Sequence, residues 1–112
     1  MEVEFDATKL AKKCATEKSR AKAFGQERGK RLGRRLSALL AAANLGDLKG
    51  APGRLHALKG NLAGKLSLDL DGPYRLIFEP VVESEDDVDC SNPAEWGKIT
   101  RVRILSIEDT HE

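Results

Sequence analysis

Apolar and polar positions alternate most cleanly in the middle of the chain. Leu66, Leu68 and Leu70 fall on one side of an extended segment, with Ser67, Asp69 and Asp71 on the other. Asp71-Gly72 is a strong turn pair, and Pro73 behind it has no N–H for a strand ladder. The alternation resumes at Tyr74, with Leu76 and Phe78 on one side and Arg75 and Ile77 on the other. A β-hairpin ending near Pro80 is the expected result. Val3 and Phe5, set between acidic residues, predict a short strand at the N-terminus. Ile99 to Ile107 predicts a final strand with Val102 and Ile104 on one face and Leu105 and Ile107 on the other, as in a central strand covered on both sides.

Between the first strand and the hairpin the apolar period becomes helical. Leu10, Cys14, Ala21 and Phe24 share one spacing, so a helix is expected from about Thr8 to a stop at Gly25. A second helix is expected from Gln26 to Leu45, closed by Gly46, with Leu32, Leu36, Leu39, Leu40 and Ala43 as its apolar stripe. Gly29 and Gly33 weaken that helix but allow a close neighbour. Arg54 to Lys59 reads as extended, followed by a loop through Gly64. Glu83 to Gly97 reads as a long acidic loop. The order is β-α-α followed by three or four antiparallel strands: an α+β domain in which a helical hairpin packs on one face of a small antiparallel sheet.

At 112 residues the chain is expected to be one domain spanning 1–112. No apolar run approaches the ~20 residues of a membrane helix, and the first residues lack the pattern of a signal peptide. Cys14 and Cys90 are expected to be reduced thiols in a cytoplasmic protein. The net charge of +1 hides an asymmetry: residues 1–65 hold 15 Lys and Arg against 6 Asp and Glu, while residues 66–112 hold 4 against 12. Such a split suggests a surface that faces a polyanion, unless the two halves neutralise each other in the fold.

The chemistry-bearing residues gather around the hairpin. His56 and Lys59 precede it, Arg75 opens its second strand, and Asp109 and His111 follow the last strand. If these converge on one rim of the sheet, the set suits phosphodiester cleavage. Lys59 and Arg75 would hold a phosphate, and a histidine would move a proton near neutral pH. With RNA the 2′-hydroxyl attacks the adjacent phosphate, and no metal is required. The alternatives are a packed, hydrogen-bonded His56 and ordinary solvated cations. A zinc site built from the two histidines and Asp109 has no supporting CxxC, HxH or HExxH spacing, so neither metal nor cofactor is expected. Arg54 and Lys65, with Arg31, Arg34 and Arg35 of the second helix, are the candidate RNA contacts.

The run PGRLHALKGNLAGKLSLDLDGPYRLIFEP and the closing ILSIEDTHE resemble the RelE/ParE superfamily of toxins, and within it the HigB-like branch. The shared pattern is a Pro-Gly, a Leu-His-x-Leu-Lys-Gly segment, a hairpin ending in an aromatic-Arg pair, and a terminal Asp-Tyr-His. The resemblance implies an mRNA endonuclease that works in the ribosomal A site without metal, neutralised by a cognate antitoxin of the helix-turn-helix, HigA-like kind. It implies His56, Lys59, Arg75, Asp109 and His111 as site residues. Thr110 stands where relatives carry tyrosine, which can stack on a base or assist proton transfer. That departure favours the alternative: a non-catalytic, inactivated toxin-like binding protein, or a ParE-like gyrase inhibitor.

Overall fold

The apolar stripe of the long helix finds its partner in the alternating leucines of the hairpin. A computed structural model describes residues 1–84 and 88–110. It contains β1 (Glu2–Phe5), α1 (Thr8–Cys14), α2 (Glu17–Phe24), α3 (Gln26–Ala41), β2 (His56–Ala57), β3 (Leu66–Asp69), β4 (Tyr74–Pro80) and β5 (Arg101–Asp109). Short 3-10 turns occupy Leu45–Leu48, Gly60–Leu62 and Pro93–Lys98. The five strands lie in the order β1-β5-β4-β3-β2, and the α+β class expected from the sequence holds. Leu32, Leu36 and Leu39 of α3 join Leu66, Leu68, Leu76, Phe78, Val102 and Ile104 in one buried core.

The sheet is mixed and not wholly antiparallel. β1 runs parallel to β5, pairing Val3 with Val102 and Phe5 with Ile104, while the other three pairings are antiparallel. No tight turn links β1 to β5, so nothing local forces the antiparallel direction that a hairpin imposes.

The expected first helix is two helices. After α1 ends at Cys14, Thr16 starts α2 with a reciprocal cap: its hydroxyl accepts the Ser19 N–H at 3.0 Å, and the Ser19 hydroxyl accepts the Thr16 N–H at 3.0 Å. α3 also stops earlier than its apolar stripe suggests. Leu45 turns inward, fully buried, with its N–H donated to the Ile99 carbonyl at 2.9 Å. The Asp47 carboxylate accepts the Ala43 N–H at 2.9 Å. Leu40, still within α3, does not share the buried stripe and stands 61% exposed.

α2 and α3 are joined at Gly25, whose φ of 92° is a left-handed conformation that suits glycine. The two helices then approach backbone to backbone at buried Gly29, where an added Cβ would sit 2.9 Å from the Arg20 carbonyl carbon. Helix propensity alone favours alanine over glycine by about 1 kcal/mol. Here the clash is with main chain and cannot be relieved by a rotamer change. Gly29→Ala is expected to lower stability by about 1–3 kcal/mol, seen as an earlier urea midpoint. An unchanged or later midpoint would remove the close approach as the reason for this glycine.

The last strand is bulged. Ile77 pairs with Ser106, but the next residue, Phe78, pairs with Ile104, so Leu105 is the extra residue. The bulge shifts the side-chain phase and returns Ile107 to the core side, opposite Leu76. Val102, Ile104 and Ile107 thus share one face, which corrects the two-faced pattern expected from strict alternation. The acidic loop is likewise more structured than expected. Its Pro93–Lys98 turn buries Trp96, whose indole N–H donates to the Cys90 carbonyl at 2.8 Å. Cys14 and Cys90 are buried free thiols, and burial raises both above the ordinary thiol range. No described helix is long and apolar enough to cross a membrane.

Candidate active site on the open sheet face

The face of the sheet turned away from the leucines is mostly polar, although Ser67 and Ile77 are fully buried on it, and the strand register fixes who meets whom there. One row across the strands runs His56, Ser67, Ile77, Ser106, and the next runs Asp69, Arg75, Glu108. Two strand spacings and two residues separate His56 from Arg75, placing their Cα atoms about 12 Å apart. The register thus brings the predicted histidine and arginine to one face.

His56 has both ring nitrogens engaged. Nδ1 lies 2.9 Å from the Arg54 carbonyl oxygen, and Nε2 lies 3.3 Å from Ser67 Oγ. A carbonyl only accepts, so Nδ1 carries a proton, and in the neutral tautomer Nε2 accepts from the Ser67 hydroxyl. The contact to Ser67 is long for such a bond, so Nε2 is held loosely. Arg54 supplies its carbonyl from a left-handed backbone, φ 47°, the sole non-glycine with positive φ among the described residues. That conformation costs a side chain with a Cβ about 1–2 kcal/mol, and strain of this kind gathers at functional sites.

Arg75 is anchored twice. Its Nη1 donates to the Gly72 carbonyl at 2.8 Å and the Tyr74 carbonyl at 3.0 Å, while Nε lies 2.8 Å from Asp69 Oδ1. The other oxygen of the same carboxylate accepts from Arg54 Nε at 3.0 Å, and the Asp69 carbonyl accepts from Arg35 Nε at 2.8 Å. Asp69 is therefore the meeting point of three arginines. Lys59 is exposed and Lys65 half-buried.

The helical arginines lie in the layer across the sheet. Arg28 forks onto Asp71 at 2.9 and 3.2 Å and stacks on the Tyr74 ring, 3.3 Å from its centroid. With Arg35 it clamps α3 to the hairpin. Burial, then the neighbouring Arg31 charge, lowers the Arg35 pKa. Arg31 is half-buried and Arg34 exposed on α3, so neither joins His56 and Arg75 on the open face.

At the end of β5 the register places Asp109 opposite Tyr74, on the helix side, and Glu108 opposite Arg75. Glu108 accepts a hydrogen bond from the Ser106 hydroxyl. Thr110 is tied to the hairpin turn: its N–H and its hydroxyl both donate to the Pro73 carbonyl, at 3.0 and 3.2 Å. His111 lies outside the described residues. Among the described residues no group of three His, Cys, Asp or Glu could hold a metal ion.

The family model for the HigB-like toxin, described as RelE-like toxin of type II toxin-antitoxin system HigB, matches residues 4–90. The chain belongs to this family. As a HigB-like toxin it has an antitoxin for a partner. The matched span contains His56, Lys59, Asp69 and Arg75 of this toxin but ends before β5, Asp109 and Thr110. No curated protein matches the chain. Ser67, Asp69 and Glu108, which the register brings to this candidate site, are absent from the residues expected from the sequence. The signal for the first two was present in the Leu-Ser-Leu-Asp-Leu-Asp alternation, which sets them opposite the leucines.

Proposed function

We propose that this toxin is a metal-independent, ribosome-dependent endoribonuclease that inhibits translation by cutting mRNA. The observation that carries this reading is the open sheet face. It offers the His56 imidazole, held through Nδ1 by the Arg54 carbonyl with Nε2 against Ser67, on the same face as two arginines, Arg54 and Arg75. In the reaction the 2′-oxygen of the substrate ribose forms a new bond to the adjacent phosphorus, and its proton passes to His56 Nε2 once Ser67 releases it. The bond from phosphorus to the 5′-oxygen breaks, and that oxygen takes a proton from the acid, a role that falls to His111. The products are a 2′,3′-cyclic phosphate and a 5′-hydroxyl. Arg75 and Lys59 stabilise the charge that develops on the phosphoryl oxygens. Arg54 and Lys65 extend the contact along the RNA backbone, and Arg31 and Arg34 supply a separate basic surface towards ribosomal RNA, while Arg35 stays bonded to the Asp69 carbonyl. The antitoxin is of the helix-turn-helix, HigA-like kind, and the toxin acts in the cytoplasm.

The competing reading is a non-catalytic toxin-like binding protein or gyrase inhibitor. Its support is the Asp69 carboxylate, which neutralises Arg54 and Arg75. Primer extension on cellular mRNA after induction separates the two. Cuts in phase with codons are expected. Growth arrest with intact mRNA would sink the nuclease reading, and accompanying DNA damage would point to gyrase.

A further inference from the structure

We propose that Arg54 and Arg75 form a phosphodiester-binding pair whose place is held by the Asp69 carboxylate until RNA arrives. Arg75 does not depend on Asp69 for its position, because two backbone carbonyls hold its Nη1. Its Nε lies 2.8 Å from Asp69 Oδ1, yet that buried oxygen receives no well-aligned hydrogen bond. The contact is close in charge but poor in geometry, as in an ion pair that can be exchanged. Arg54 is the opposite case. Its side chain is 69% exposed, its one ion pair among the described residues is with Asp69 Oδ2, and its backbone is strained. The carbonyl of the same residue holds His56 Nδ1.

A phosphodiester presents two anionic oxygens, as the carboxylate does, and guanidinium groups bind either in the same fork. RNA entering the open face would take over Nε of both arginines, leaving Asp69 to solvent, to which its side chain is already 25% exposed. Asp69 is then a competitor for the site and not a brace of Arg75. The proposal rests on the reading that this face takes RNA, although its test needs no cleavage.

The two roles predict opposite signs. Binding of a fluorescent, uncleavable 2′-O-methyl RNA to the full chain is followed by anisotropy across a salt series. Asp69→Asn is expected to bind about tenfold tighter at low salt, with a salt slope steeper by about one. In the Asp69→Asn background, Arg54→Ala is expected to remove about tenfold. In the parent it should change affinity less than about threefold, since the lost phosphate contact is offset by an ion pair that no longer needs breaking. Asp69→Asn with the parent's unfolding midpoint and equal or weaker binding overturns the proposal. If that variant does not fold, NMR of the unmodified chain decides: the Arg54 and Arg75 Nε–H signals should shift at saturating RNA, and their staying fixed also overturns it. Tighter binding by Asp69→Asn with intact mRNA in cells would keep this site and remove the nuclease. Codon-phased cutting with unchanged binding would remove this site alone.

Discussion

Arg75→Ala is expected to let cells grow when the toxin is induced. In the proposed reaction this guanidinium faces the phosphoryl oxygens as negative charge builds on them. Removing a donor of that kind typically lowers the rate about 10²–10³-fold. The side chain also has structural contacts, so the variant must be shown to fold. Two carbonyl bonds in the hairpin turn are lost with it, at about 1 kcal/mol each, which is within the stability of a domain of this size. Arg75→Lys is the useful companion. It keeps the charge but not the planar fork, so it should fold as well as Arg75→Ala and recover only part of the mRNA cutting. An Arg75→Ala toxin that folds, as judged by its circular dichroism and unfolding midpoint, and still arrests growth like the parent would remove Arg75 from the site.

Phe78→Ala is expected to have the largest effect on stability. Phe78 is fully buried in the central strand β4, with Leu66 on one side and Ile104 on the other. Truncating a buried phenylalanine costs about 3–5 kcal/mol through lost transfer energy and the cavity left behind. A domain holds about 5–15 kcal/mol in total, so the variant should unfold at much lower urea and lose toxicity through low abundance. Leu105→Ala is the contrast. Leu105 is the extra residue of the β5 bulge and lies outside the main core cluster, so its loss should cost well under half as much. Equal losses for the two would contradict the bulged register.

These two variants also mark what the sequence could reveal. The leucine alternation and the α3 stripe announced the hairpin and the helix that covers it, because a buried face leaves a period in the chain. A bulge leaves none, so the phase of β5 after Ile104 was illegible. The end of α3 was misplaced because Leu45 continues the helical spacing, and only its bond to Ile99, far along the chain, shows that it leaves the helix. The break at Thr16 was legible in principle through its cap with Ser19. At the candidate site, the residues could be proposed from the sequence but their partners could not. His56 meets Ser67, and Arg75 meets Asp69 and Glu108, only through register across four strands. The same register moves Asp109 to the other side of the sheet, which no spacing argument could detect.

The parallel pairing of β1 with β5 has a consequence for how such a toxin comes into being. Glu2 waits for Arg101, so β1 has no sheet neighbour until nearly a hundred further residues exist. A ribosome delivers the chain from its N-terminus, and contacts this distant in sequence form slowly because the connecting loop must first be ordered. Helices α1 to α3 can form early, but the sheet that presents His56 and Arg75 cannot close around β5 until that strand has emerged. The complete sheet, and with it the proposed site, is therefore expected to form late, after the ribosome that made it has moved past the codons for β5.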